Sequence, residues 1–512
     1  MLDIKFIREN KDLIKEGARK KHMEIDIDRL LEVDDERRKI LTSVEEKRSK
    51  QNEVNDTITK GVTDRERNEL VEKMRALKEL LQVEEDRLKK VMQEWQTLML
   101  AVPNIPDVSV PEGKSDEDNQ EIKTWGEKPT FSFEPKSHID IMTLLDMADF
   151  ERGVKVSGFR GYFLKSDGAL LSYAIWNYAH SFFLERGFTP MLVPAIVRKS
   201  NLYGTGHLPN EVEDIYVTQD EDYLAGTAEV ATMGYHADEV LDGAQLPVRF
   251  LSFSPCYRRE AGSHGKDTKG LIRVHEFYKL EQVILCEANH EESVKWHEWL
   301  NKNTEEFIES LGIPYRTVIN CGADLGQGQV KKYDIELWVP LEKKYREISS
   351  ASYFHDFQTR RFNIKYKDAE GKTHYTHSLN STAIPTPRIL VSLVENFQHV
   401  PGNCLALAIG VGCEDQRVRR LHRRGDIVQP LVRRRIDAPR HCEILVGPHR
   451  SVLGGQVTHM AERSQNRVSG PQIFVDCFGL GGRFYDDDIH DDRELTISKM
   501  RPIKCRQWPR TW

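Results

Sequence analysis

Two long helical repeats stand out near the start of the chain. Leu30, Val33, Arg37, Ile40, Val44, Lys47, Gln51, Val54 and Ile58 follow one another at steps of three and four, a heptad seam with polar interruptions. A cleaner seam runs through Leu70, Met74, Leu77, Leu81, Glu84, Leu88, Val91, Trp95 and Leu98. Between them, "TKGVTDRERN" puts Gly61 where the first helix must break and Thr63 with Glu66 as a capping box for the second. Two helices of similar length on a short turn fold back antiparallel; an ordinary dimerising coiled coil is the alternative left open by the pattern alone. "AVPNIPDVSVPEGKSDEDNQE", with its prolines and acidic residues, then reads as a linker. The expected arm domain covers residues 1–110, its coiled coil about 30–98, and the linker covers 111–124.

From residue 125 to 398 helical and strand patterns mix. "DGALLSYAIWNYAHSFFLERGF" puts Leu171, Ile175, Tyr178 and Phe182 on one helical face, with Gly187 as the stop, and "TPMLVP" follows as a short strand. Chemistry concentrates in "SPCYRREAGSHGKDTKGLIRVHEFYKLEQ". From Leu271 onward the alternation predicts a strand with Arg273, His275, Phe277, Lys279 and Glu281 on one face and Ile272, Val274, Tyr278 and Leu280 on the other. Phe277 and Glu281 would stand roughly 13 Å apart, about the length of an aminoacyl nucleotide. An aromatic ring suits a nucleobase, and a carboxylate suits an ammonium or hydroxyl. On the preceding strand Arg258 and Glu260 are expected to share a face, and a guanidinium grips phosphate in forked fashion. A salt-bridged solvent face is the bland alternative.

Composition adds limits. A chain of 512 residues implies two or three domains. The net charge of −7 means that any RNA contact must come from local patches, not from the overall field. "MLDIKFIREN" has no apolar leader, and the longest apolar run, "CLALAIGVG", is too short for a bilayer, so a cytoplasmic protein without membrane association is expected. Eight cysteines without a CxxC pair imply neither a disulfide framework nor a zinc site. "GADLGQGQ" lacks the strand and helix context of a dinucleotide site.

The hairpin "YRREAGSHGKDTKGLIRVHEFYKLE" resembles motif 2 of class II aminoacyl-tRNA synthetases, "GFTPMLVP" resembles motif 1, and "LNSTAIPTPRILVSLVENFQ" resembles motif 3. With "GTGHLPN", "TAEV" and "REISSAS", these segments are similar to seryl-tRNA synthetases of the bacterial type over about residues 1–398. The resemblance implies an α+β fold: a central antiparallel sheet with flanking helices, preceded by a long antiparallel α-helical coiled-coil arm, in a homodimer. It implies that Arg258 grips the ATP α-phosphate and the serine carboxylate, that Glu260 accepts from the adenine amino group, and that Phe277 and Arg388 sandwich the ring. Arg259, Val274, Ile348 and Ser349 complete the implied nucleotide shell. Glu347 and Ser350 would supply hard oxygen ligands for Mg²⁺. Thr386 is expected to cap the helix that presents Arg388.

Serine would be read by Thr227, Ala228 and Glu229 at its amino group and by Glu281 and Thr382 at its hydroxyl, with Asn380 orienting the shell. Where many relatives read Asn-Gly-Ser, this chain reads "NST", which keeps a hydroxyl at the third position. His264, Lys266 and Lys269 are candidates for the tRNA acceptor end. Serine codons demand several anticodons, so the arm would read the shape of tRNA(Ser), and of tRNA(Sec) by the same logic. A synthetase paralogue that loads a carrier protein and a non-catalytic RNA-binding coiled-coil protein are the rival readings.

Residues 399–512 depart from the family pattern. They hold five of the eight cysteines, and their cations are nearly all arginine. A shifted reading frame is the preferred explanation and an appended RNA-binding domain the alternative. If the segment that normally follows is replaced, apolar surface near Leu393, Val394 and Phe397 is expected to lose its cover.

Overall fold

The computed structural model describes residues 1–399, apart from Val62, His264 and Lys266. The expectations for the tail beyond His399, and for His264 and Lys266 at the acceptor end, lie outside the described residues.

The two seams form one antiparallel hairpin. Helix α1 (Ile27–Thr59) and helix α2 (Asp64–Ala101) are joined by a turn in which Gly61 takes φ +94°. The expected capping box is present: the Glu66 N–H donates to Thr63 Oγ1 (3.4 Å) and the Thr63 N–H to Glu66 Oε2 (3.0 Å). Val33, Ile40 and Val44 pack with Leu81 and Val91 in the buried seam, while Leu30 packs in the cluster of Ile7, Ile14 and Met99 at the base of the arm. The polar interruptions match across it. Lys47 Nζ lies 2.9 Å from Glu84, and the Arg37 guanidinium sits 4.7 Å over the Trp95 ring. Ion pairs Arg29–Glu94, Arg48–Glu85 and Arg87–Glu36 at 2.5–2.7 Å fix the antiparallel register on the outer faces. The polar seam residues Arg37, Lys47 and Glu84 thus find their partners within the same chain.

The base of the arm is seated on the rest of the molecule by backbone carbonyls. Lys21 is buried, and its Nζ donates to Gly326 O, Gln327 O and Gln329 O at 2.6–3.0 Å. Asn104 Nδ2 donates to Gly328 O and Phe354 O. "GADLGQGQ" therefore serves as a socket for the arm, a role that its sequence did not reveal.

The remainder is built on an eight-stranded sheet: β1 (Gln120–Trp125), β2 (Thr189–Leu192), β3 (Val248–Tyr257), β4 (Glu276–Cys286), β5 (Tyr315–Ile319), β6 (Lys331–Val339), β7 (Lys344–Tyr353) and β8 (His377–Thr386). Their spatial order is β1-β5-β6-β7-β8-β4-β3-β2, antiparallel except where β2 runs parallel to β3 at the edge. Helices α3 (Ser166–Leu184), α4 (His290–Ser310) and α6 (Arg388–Asn396) contribute to the main core, while α5 (Phe357–Phe362) is a short helix between β7 and β8. Leu171 and Ile175 of α3 are buried as expected, with Tyr178 and Phe182 partly so. Leu393 and Val394 of α6 are fully buried in the same core as Phe307 and Tyr315, which corrects the expectation that they lose their cover.

Three local expectations also fail. Strand β4 starts at Glu276, not Leu271, because the Leu271 N–H donates to His138 Nε2 (3.2 Å) and Gly270 turns the chain at φ +87°. Strand β3 ends at Tyr257, so Arg258 and Glu260 lie just beyond it, and Glu260 takes φ +55°. The hairpin closes with the Arg258 N–H on His275 O at 3.0 Å. Thr386 is the last residue of β8 and not a helix cap; Pro387 occupies the cap position, without a side-chain capping bond.

Candidate active site

One cavity opens between the β3–β4 hairpin, β7, the end of β8 and the start of α6. Arg258, Glu260, Val274, Phe277, Glu347, Ile348 and Arg388 line it, and Lys279 and Thr382 lie at its inner end. Arg258 donates to Gly226 O (3.3 and 3.4 Å), with its guanidinium 5.4 Å above the Phe277 ring. Arg388 begins α6. It donates to Ile272 O at 2.8 Å and Glu347 O at 3.0 Å, and burial pulls its pKa below the usual arginine range. A desolvated guanidinium held by neutral carbonyls keeps its charge available to an anion. Glu260 is held by Arg273 at 2.5 Å. Two arginines, Arg258 and Arg388, thus line one opening with their charge held only by carbonyls, a setting suited to phosphate. Arg259 is exposed beside the cavity and does not line it.

Glu347 and Ser350 are brought to one face by an irregularity in β7. Ser350 lies opposite Asp334 and Glu347 opposite Glu336, with the register shifting between Ile335 and Glu336. Ser349 is buried, its hydroxyl donating to Thr382 O at 2.5 Å, so it braces the strands. A carboxylate and a hydroxyl fit a hard cation that takes its other ligands from phosphate and water. Among the described residues no group of three His, Cys, Asp or Glu could hold a metal by itself.

The inner end is closed and polar. Thr227, Ala228 and Glu229 precede or open the short helix Glu229–Gly234, and all three are buried. The Glu229 N–H points to Thr227 Oγ1 at 3.4 Å, and Glu229 Oε1 accepts from Gln358 Nε2 at 2.6 Å. Glu281 on β4 lies opposite Thr382 on β8, whose hydroxyl is 3.4 Å from Glu281 Oε2. Burial pushes the Glu281 carboxyl up, while Lys279, 2.7 Å away, pulls it back. Asn380 is buried two residues before Thr382 on β8.

The structure therefore places Glu281 beside Thr382 and Lys279, which line the inner end of the arginine-lined opening, while Thr227 and Glu229 are buried at the start of the short helix that follows Gly226, the carbonyl partner of Arg258. Two contributors were missed. Lys279 was visible in the alternation with Glu281, but its counter-charge role was not drawn. Gln358 lies in a distant segment with no motif signal of its own.

Residues 1–106 match a family model described as the seryl-tRNA synthetase N-terminal domain, and residues 212–397 match one described as the tRNA synthetase class II core domain (G, H, P, S and T). A serine–tRNA ligase from Deinococcus radiodurans is 45% identical over 403 residues, 78% of this chain and 95% of the relative. The chain belongs to the seryl-tRNA synthetase family. A second serine–tRNA ligase, from Thermodesulfovibrio yellowstonii, is 40% identical over 79% of this chain and 96% of its own length. The crystal structure of seryl-tRNA synthetase from Pyrococcus horikoshii complexed with ATP aligns with a TM-score of 0.69 at 37% identity, covering 78% of this chain and 95% of that one. The α+β class II fold expected from the sequence is the fold of this synthetase family, and no described helix is long and apolar enough to cross a membrane.

Proposed function

We propose that this chain, a serine–tRNA ligase by family, activates L-serine with ATP to seryl-adenylate and transfers the seryl group to the 3′ end of tRNA(Ser) and tRNA(Sec). The observation that carries the reading is the cavity that runs from Phe277 and Arg388 to Lys279 and Thr382, both of which contact the buried Glu281. In it, one ligand can present a nucleotide to the arginines and a small hydroxylated amino acid to the buried shell.

The serine carboxylate oxygen bonds to the α-phosphorus as the bond to pyrophosphate breaks. A tRNA ribose hydroxyl then takes the acyl group and releases AMP. No protein nucleophile is required; rate comes from positioning and charge stabilisation. Arg258 bridges the α-phosphate and the serine carboxylate. Phe277 and Arg388 bracket adenine, Glu260 accepts from its amino group, and Val274 and Ile348 supply apolar wall. Glu347 and Ser350 would hold the Mg²⁺ that travels with ATP, which would supply neutralisation of the phosphate charge. Thr227 and Glu229 take the ammonium, and Glu281 and Thr382 the hydroxyl. An amino acid without the hydroxyl leaves Glu281 and Thr382 unpaired, a discrimination worth about 10⁴ to 10⁵.

The arm supplies tRNA recognition by shape. Homodimer formation is supported by the unpaired edge of β2, where Leu192 is 83% exposed, and by exposed Leu170 and Tyr173 on the neighbouring α3. The test is ATP–pyrophosphate exchange, expected with serine and Mg²⁺; exchange with another amino acid and not serine would overturn the assignment. Deleting residues 30–98 should leave exchange largely intact and remove tRNA charging. Charging that survives the deletion would make the arm a structural coiled coil.

A further inference from the structure

We infer that Gln358 is a positioning residue for the amino-acid ammonium, acting through Glu229; this role rests on the serine reading above. Gln358 is 1% exposed and sits on α5, and its amide makes three directed bonds. Nε2 donates to Glu229 Oε1 at 2.6 Å and to Thr205 O at 3.2 Å, while Oε1 accepts from Ser378 Oγ at 2.7 Å. The reverse orientation would set the amide oxygen against a carboxylate and a carbonyl at once, so the hydrogen-bond partners fix the side chain.

Its chemistry matters as much as its position. A buried carboxylate needs donors, and a lysine or arginine would satisfy it by cancelling the charge that attracts an ammonium. A neutral amide satisfies Glu229 Oε1 and leaves the carboxylate's net charge, with Oε2, to the substrate. This contrasts with Glu281, whose close partner is the cation of Lys279 and whose proposed ligand is a neutral hydroxyl. The two acids of the shell are thus differentiated by the charge of their supporting donors.

The support behind Gln358 is rigid. Phe357 and Phe362 are buried on either side of it, Arg361 Nη1 donates to Tyr203 O at 2.8 Å, and Arg360 reaches Asp356 at 2.7 Å. The carboxylate is therefore set before serine arrives.

Gln358→Met keeps the side chain's length and removes its donor. The variant should raise the KM for serine in pyrophosphate exchange about tenfold, as expected for a hydrogen bond to a charged group, with the KM for ATP unchanged. Gln358→Glu, which turns an acceptor toward Glu229, should raise it further and provides a second reading if the methionine variant folds poorly. The decisive readout is the preference for serine over 3-hydroxypropionate, which lacks the amino group, as a competitor. A positioning role predicts that both variants narrow this preference; equal weakening of both ligands, or an unchanged serine KM, would overturn it. An unsubstituted chain without serine-dependent exchange would overturn the proposed function and this role with it.

Discussion

The two ends of the cavity are built on opposite principles. At the inner end Thr227, Glu229, Glu281 and Thr382 are each at most 7% exposed, and their polar atoms already pair with Lys279, Gln358 and one another. At the outer end Arg258 and Glu347 are exposed, and the arginines lean on backbone carbonyls instead of carboxylates. On the proposed reading, a small ligand would be selected by a closed shell whose groups go unpaired with the wrong occupant. A triphosphate would instead be held by charge at an open mouth, which pyrophosphate must leave and a tRNA end must enter. On that reading, selectivity and turnover fall to different neighbourhoods of one site.

The largest effects should come from the outer end. Arg258→Ala and Arg388→Ala remove cations aimed at developing charge, so each should lower the exchange rate by at least about 10²- to 10³-fold. Arg388 also ties α6 to Ile272 and Glu347, so its replacement should cost some thermal stability as well. Exchange above a tenth of the unsubstituted rate in either variant would mean that the open end does not carry the chemistry.

Glu281→Ala should come next, with a different signature. Serine kcat/KM should fall about 10²-fold while the KM for ATP moves less than about twofold, because only the closed end is altered. Lys279 would be left buried without its partner, so a lower melting temperature is expected too. Equal losses for serine and ATP would show that the two ends cannot be separated.

How much of this was legible depended on range. The arm could be read nearly residue by residue, since its seam, break and capping box are local patterns that the backbone period enforces. Even its polar interruptions proved to be matched pairs, Lys47 with Glu84 and Arg37 with Trp95. The motif-bearing strands were legible where alternation met burial, as in β4 from Glu276. They were misread where a distant group captured the backbone: His138 takes the Leu271 N–H, which ends the strand that alternation alone extends. The Lys21 socket and the Gln358–Glu229 contact join segments hundreds of residues or one whole domain half apart, so no local pattern announces them. Motif resemblance supplied the candidate residues, and geometry then divided them into liners of the cavity, braces such as Ser349, and the exposed Arg259.

The smallest effect expected separates the ends by pH. His377 and His355 adjoin the Ser378–Gln358 contact through the backbone: His377 precedes Ser378 on β8, the His355 carbonyl accepts from the Ser378 N–H at 3.0 Å, and the two ring centroids are 4.8 Å apart. Burial depresses both to about 4, with His290 adding repulsion and Asp356 opposing it. A histidine with a depressed folded pKa favours the neutral form in the native state, so its contribution is complete above the unfolded value of about 6.5. As pH falls from 6.5 toward 4 the unfolded chain takes up protons that the folded chain refuses, and stability is lost. By pH 5 the loss should be about 1–2 kcal/mol per histidine. The melting temperature should therefore drop between pH 6.5 and 5, and replacing both rings with glutamine should flatten that drop. Because the two histidines adjoin the Ser378–Gln358 contact that supports Glu229, the KM for serine should rise over the same interval before that for ATP does. A melting temperature that stays level from pH 6.5 to 5, or an ATP KM that rises first, would show that the histidines do not support the closed end selectively.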